Sequence, residues 1–194
     1  MKSHLFEINK AIEDSIASKQ LILSDKALLD AMDKAIGLCV DSLRGGGKIW
    51  FAGNGGSAAD AQHLAAELCG RFYLDRKPLP AEALHVNTSF MTAVANDYGY
   101  DHVYSRLLEG CARPGDVLFA LSTSGNSSNI LEAAKAAKAS GVHVIAFTGK
   151  SGGKLRGCCD LLLNVPSGDT PRIQECHIMI GHVICENIEK DLFG

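Results

Sequence analysis

The feature that most constrains this 194-residue chain is a recurring unit: a short apolar run, a turn rich in glycine and serine, then a stretch with helical spacing. Lys48 to Ala52 (KIWFA) leads into GNGGS and the helical SAADAQHLAAELCGRF. Asp116 to Leu121 (DVLFAL) leads into STSGNSS and the helical NILEAAKAAKASG. Val142 to Phe147 (VHVIAF) leads into TGKSGGK and then Asp160 to Val165 (DLLLNV). A weaker strand at Ala81 to Val86 precedes a helical stretch from Thr88 to Asn96. Strands alternating with helices are joined by right-handed crossovers into a parallel sheet covered on both faces. The expected fold is α/β, a three-layer αβα sandwich around a central five-stranded parallel sheet of flavodoxin or Rossmann type.

Two helical patterns, one around Leu5, Ile8, Ile12 and Ile16 and one from Leu28 to Leu43, give N-terminal helices over 1–44. The α/β core is expected over 45–170. A C-terminal helix from about Arg172 to Lys190 falls within 171–194. No linker or low-complexity segment intervenes, which points to a single domain over 1–194.

The formal net charge of −3 comes with no basic cluster, so no nucleic-acid partner is expected. No apolar run approaches membrane-spanning length, and the first residues lack the apolar core of a signal peptide, so neither membrane nor secretion is expected. Seven cysteines, an odd number at irregular spacings, argue for reduced, buried thiols and a cytoplasmic location. Cys158-Cys159 reads as two small residues at a strand entrance.

In parallel α/β sheets ligands bind beyond the carboxyl ends of the strands, where these turns lie. Ser122-Thr123-Ser124-Gly125-Asn126-Ser127-Ser128 sits between a buried-type strand and a helix amino terminus, which already favours an anion. An ordinary N-cap needs one serine. Ser122, Thr123, Ser124 and Ser127 together fit a phosphate cradle. The other turn, Gly53-Asn54-Gly55-Gly56-Ser57, has a dinucleotide-like spacing if Ala58 is counted, but no acidic residue ends the next strand to hold a ribose. It reads instead as backbone approaching a polar ligand.

His63 and Glu67 are four residues apart and share one helix face. That register suits a metal pair, but spacing alone favours a plain surface pair. The last helix carries Gln174, Glu175, His177 and His182 in an otherwise apolar run, and spacing does not choose between the two histidines. Gln174 and His182, eight residues apart, are separated by roughly 12 Å on a straight helix, so one ion reaches both only if the helix start is bent or two subunits contribute.

The stretch AGNGGSAADAQHLAAEL, residues 52–68, resembles CGNGGSAADAQHFAAEL of bacterial phosphoheptose isomerases. Asn96-Asp97, Ser122-Thr123-Ser124-Gly125-Asn126-Ser127 and Arg172-Ile173-Gln174-Glu175 with His177 and His182 follow in that family's order. The resemblance covers nearly the whole chain and implies the sugar-isomerase (SIS) fold and isomerisation of sedoheptulose 7-phosphate, the first step of nucleotide-activated heptose biosynthesis.

It also implies Zn2+, one per subunit, on His63, Glu67, Gln174 and His182, with Glu67 as base and His182 as acid. Asn54, Gly55, Gly56, Ser57, Glu67, Asn96, Asp97, Ser122, Thr123, Ser124, Ser127 and Gln174 are implied to contact the sugar phosphate. A homotetramer with active sites at subunit interfaces is implied as well. The chain departs from the family in Asn87, where Asp is frequent, and in Pro171, where Ala is usual. Non-catalytic relatives that bind a replication initiator or sense a sugar phosphate are the alternative, and retention of His63, Glu67, Gln174 and His182 favours an enzyme.

Overall fold

The computed structural model describes residues 3–194. Two helices, α1 (Leu5–Ser24) and α2 (Lys26–Arg44), precede the sheet. They are separated at Asp25, whose carboxylate accepts from Leu28 N and caps α2. Then follow β1 (Ile49–Ala52), α3 (Gly56–Cys69), β2 (Ala81–Ala83), α4 (Thr88–Tyr98), α5 (Ser105–Cys111) and β3 (Val117–Leu121). The chain continues through α6 (Ser128–Ala139), β4 (His143–Thr148), β5 (Leu161–Asn164) and α7 (Thr170–Phe193).

The five strands form one parallel sheet in the order β2-β1-β3-β4-β5. Alternation along the strands divides the core in two. Phe51, Phe119, Phe147 and Leu163 face one way and pack with α2, α3 and α7. Trp50, Leu118, Val144 and Ala146 face the other and pack with α4, α5 and α6. Both faces are therefore covered, as a parallel sheet requires.

Three expectations need correction. The strand expected over 81–86 ends at Ala83, because the chain turns at Leu84 after its amide bonds Phe51 O. Helix α5 lies where no element was expected, since seven residues hold too little periodicity to be seen. The thiols are not uniformly buried: Cys39, Cys176 and Cys185 are, but Cys69 and Cys111 are exposed and Cys158 and Cys159 half-buried. All seven are free.

Helix α1 buries only Ser18 and Ile22 and leaves Leu5, Phe6, Ile8, Ile12 and Ile16 exposed, Phe6 at 75%. Its apolar pattern thus does not serve the core of its own chain.

Candidate active site

Residues 122–127 join β3 to α6 at the carboxyl end of the sheet. Ser127 occupies the N-cap position of α6, yet its side chain makes no capping bond there. Its Oγ lies 3.1 Å from Ser122 Oγ instead. The hydroxyls are thus not consumed by an ordinary cap. Ser124 Oγ accepts from Asn126 N, and Asn126 Oδ1 accepts from Lys154 N, tying this loop to the one after β4. Gly125, at φ +66°, makes that contact possible, because a Cβ there would collide with the backbone at Gly152.

Between the two loops lies a cavity of about 700 Å3 lined by Thr123, Ser124, Gly149, Lys150, Ser167 and Thr170 among others. Lys150, Ser167 and Thr170 were missed in the sequence. For Lys150 the signal was present, since TGKSGGK follows β4 as STSGNSS follows β3.

The glycine-rich stretch 53–57 leads from β1 through residues 53–55 into the first turn of α3, next to this region. Asn54 and Asn129 exchange two amide hydrogen bonds, each 2.8 Å, and Tyr100 donates to Asn54 Oδ1. Tyr104 donates to Gly53 O at 2.6 Å, and burial pushes its hydroxyl pKa up strongly. Gly55 has φ +55°, open to glycine. A Cβ on Gly56 would lie 2.6 Å from Gln174 Nε2, so the Gln174 amide is seated against the start of α3. Ser57 is buried. Asn96 and Asp97 sit on the exposed face of α4, bonded to each other.

The chemistry-bearing cluster lies farther along α3. His63 Nε2 is 3.0 Å from Glu67 Oε1, the one-turn pair seen in the sequence. His182 of α7 joins it, with its Nε2 2.9 Å from His63 Nε2. Ligand atoms of His63, Glu67 and His182 all lie within 4.8 Å of one another. The helices bring them together through close packing, for Gly181 lies directly over Leu64. Burial lowers the His182 pKa, helped by His63 and opposed by the Glu67 carboxylate, which favours a neutral ring.

His177, the other candidate, is fully buried and bonds Thr148 O through Nε2 at 3.1 Å. Its pKa falls to about 4 through burial. It has no access to a substrate.

The donor set fits a divalent transition metal. Two imidazole nitrogens facing each other at 2.9 Å are compatible only if one carries a proton and the other a free lone pair. With the adjacent carboxylate, that is an N,N,O set suited to zinc. Gln174 does not complete it within one chain. His63 lies seven residues beyond Gly56, roughly 10 Å along α3. The same displacement along α7 carries His182 away from Gln174.

Residues 14–149 match the family model of the SIS domain. A phosphoheptose isomerase of Mycobacterium tuberculosis is 58% identical over 182 residues, 93% of this chain and 92% of that one. Among solved structures, the phosphoheptose isomerase of Neisseria gonorrhoeae is 44% identical with a TM-score of 0.91, covering 97% of this chain and all (100%) of that one. That of Francisella tularensis is 38% identical with a TM-score of 0.92, at the same coverage of 97% and 100%.

Proposed function

The chain belongs to the phosphoheptose isomerase family of SIS-domain proteins, and from that premise we propose that it converts sedoheptulose 7-phosphate to D-glycero-D-manno-heptose 7-phosphate through an enediol. The observation that carries this reading is the meeting of Glu67 and His182, from helices more than a hundred residues apart, in one cluster. Base and acid for a carbon-to-oxygen proton shift must stand that close to one another.

In the proposed reaction the Glu67 carboxylate removes a proton from C1 of the ketose. The C1–C2 double bond forms as the C2 carbonyl opens, and its oxygen takes a proton from His182. The imidazolate left on His182 then receives the proton from the oxygen on C1, which restores the neutral ring, the C1 carbonyl forms, and Glu67 returns its proton to C2. The hydroxyls of Ser122, Thr123, Ser124 and Ser127, with the amides of the 53–57 turn, anchor the phosphate and the sugar. Each hydrogen bond to the charged group contributes about 1.5–3 kcal/mol.

His63, Glu67 and His182 would hold Zn2+, one per subunit, which supplies Lewis-acid stabilisation of oxygen charge. The fourth ligand, Gln174, would come from another subunit, since within one chain it sits at the other end of α3. This supports a homotetramer with shared active sites. The exposed apolar residues of α1 offer the surface that other copies would cover.

A cytoplasmic location and a first step in nucleotide-activated heptose biosynthesis complete the proposal. The free cysteines agree with that location, and no helix of the described residues is long and apolar enough to cross a membrane. An assay with sedoheptulose 7-phosphate, with and without chelator, tests the function. Turnover should disappear on chelation and return with Zn2+. Full turnover by metal-free protein would overturn the metal site, and no turnover with metal restored would overturn the reaction.

A further inference from the structure

Helix α3 ends with carbonyl groups that no amide of its own can reach, and its last turn holds no basic residue. The need is met from outside the helix. Arg76 donates through Nη2 to Glu67 O at 2.9 Å and through Nη1 to Leu68 O at 2.8 Å and Gly70 O at 3.2 Å. Its guanidinium is bound through Nε to Glu189 Oε1 of α7 at 2.8 Å. The two side chains are 2% and 1% exposed.

Glu189 is equally occupied. Its carboxylate accepts from the amides of Phe72 at 3.2 Å, Tyr73 at 2.7 Å and Leu74 at 2.8 Å. Burial raises its pKa, but these amides and Arg76 outweigh burial and hold the carboxyl below its ordinary value. The loop held in this way presents the Phe72 ring to His182, with centroids 5.7 Å apart.

A buried ion pair contributes little to stability compared with a well-packed apolar pair of similar size, because both charges lose their hydration. Here the two charges fix three things at once: the carbonyl of Glu67 itself, the helix that carries His182, and the aromatic ring against His182. We propose that Arg76 and Glu189 are positioning residues that set the separation of His63 and Glu67 on α3 from His182 on α7. They touch no substrate; they act through the backbone of the residues that do. This inference rests on the assignment of Glu67 and His182 to the chemistry.

The test uses full-length protein and four variants. Glu189→Gln puts an amide donor among N–H groups. The double variant Arg76→Met with Glu189→Leu removes both charges without leaving one buried alone. Arg76→Lys keeps the charge but replaces the planar fork, which reaches several carbonyls at once, with a single ammonium. Glu67→Gln is run beside them.

Metal-free protein titrated with Zn2+ alone should bind about tenfold or more weakly in the first three, the usual effect of losing a group that orients metal ligands. At saturating Zn2+, kcat for sedoheptulose 7-phosphate should fall by a similar factor while KM stays within about twofold, since the phosphate cradle is untouched. A purely structural role would lower thermal stability and leave both readouts unchanged in the folded fraction. Wild-type Zn2+ affinity and kcat in folded Glu189→Gln, or a loss confined to KM, overturn the proposal. If the double variant does not fold, Arg76→Lys decides by the same readouts. Glu67→Gln keeps the two failures apart: retained turnover there removes the catalytic assignment, and its loss beside a normal Glu189→Gln removes only the clamp.

Discussion

The contact between α3 and α7 gives a prediction that links one methyl group to catalysis. A Cβ on Gly181 would stand 2.5 Å from Leu64 Cδ1, 2.6 Å from Cδ2 and 3.1 Å from Cγ. Carbon atoms rest at about 3.5–4.0 Å, so Gly181→Ala requires roughly 1 Å of separation. Leu64 is 1% exposed, so its side chain yields only by displacing packed neighbours, and the strain that remains pushes the helices apart. Overpacking of this kind costs about 1–3 kcal/mol, which lowers Tm by about 2–12 °C for a chain of this length.

The larger effect falls on function, because His63 and His182 are the immediate chain neighbours of Leu64 and Gly181. Their Nε2 atoms, now 2.9 Å apart, would move by a similar amount. A misplacement of about 1 Å lowers turnover by about a hundredfold. Steady-state kinetics on folded protein, with Zn2+ titration of the metal-free form, measure the effect. Gly181→Ala with wild-type kcat and Zn2+ affinity would refute the claim that the helix contact sets the cluster.

Four further outcomes follow from the structure. A Cβ on Gly110 of α5 would meet nothing within 4 Å, so Gly110→Ala should leave kcat unchanged and raise stability by up to about 1 kcal/mol in thermal unfolding. Ser124→Ala should raise KM about tenfold or more with little change in kcat, and an unchanged KM would remove Ser124 from the phosphate cradle. His177 has a folded pKa of about 4 against an ordinary value of 6.5, so the unfolded chain binds its proton first. The associated stability, about 3 kcal/mol, is present above pH 6.5 and lost as pH falls toward 4; in His177→Leu the stability profile should flatten across that window. Mixed assemblies of Gln174→Ala and Glu67→Gln, each inactive alone, should regain activity on co-expression if Gln174 reaches the cluster of another subunit, and none if it acts within its own chain.

The parallel sheet was legible because three of its strands carry unbroken apolar runs bounded by glycine-rich turns, which strand burial on two faces demands. The hydroxyl-rich loop proposed to hold the phosphate stood out for a related reason, since hydroxyl-bearing residues crowd a helix start beyond what capping needs. The choice between His177 and His182 was not legible from spacing. Both occur on an apolar helix, and only packing shows that one points at Thr148 and the other at His63. Arg76 and Glu189 were invisible for the same reason: their contact spans 113 residues, and a lone Arg in a polar loop reads as exposed. The gap between Gln174 and His182 was foreseen from helix rise, and seating Gln174 against Gly56 places that gap along α3 as well.

In the proposed reaction Glu67 carries a proton between two carbons. Conversion of sedoheptulose 7-phosphate in D2O, followed by NMR of the product, tests it directly. Deuterium should enter at C2 of the aldose in wild-type protein, and Glu67→Gln should show neither product nor exchange. Exchange at the wild-type rate in Glu67→Gln would contradict the account.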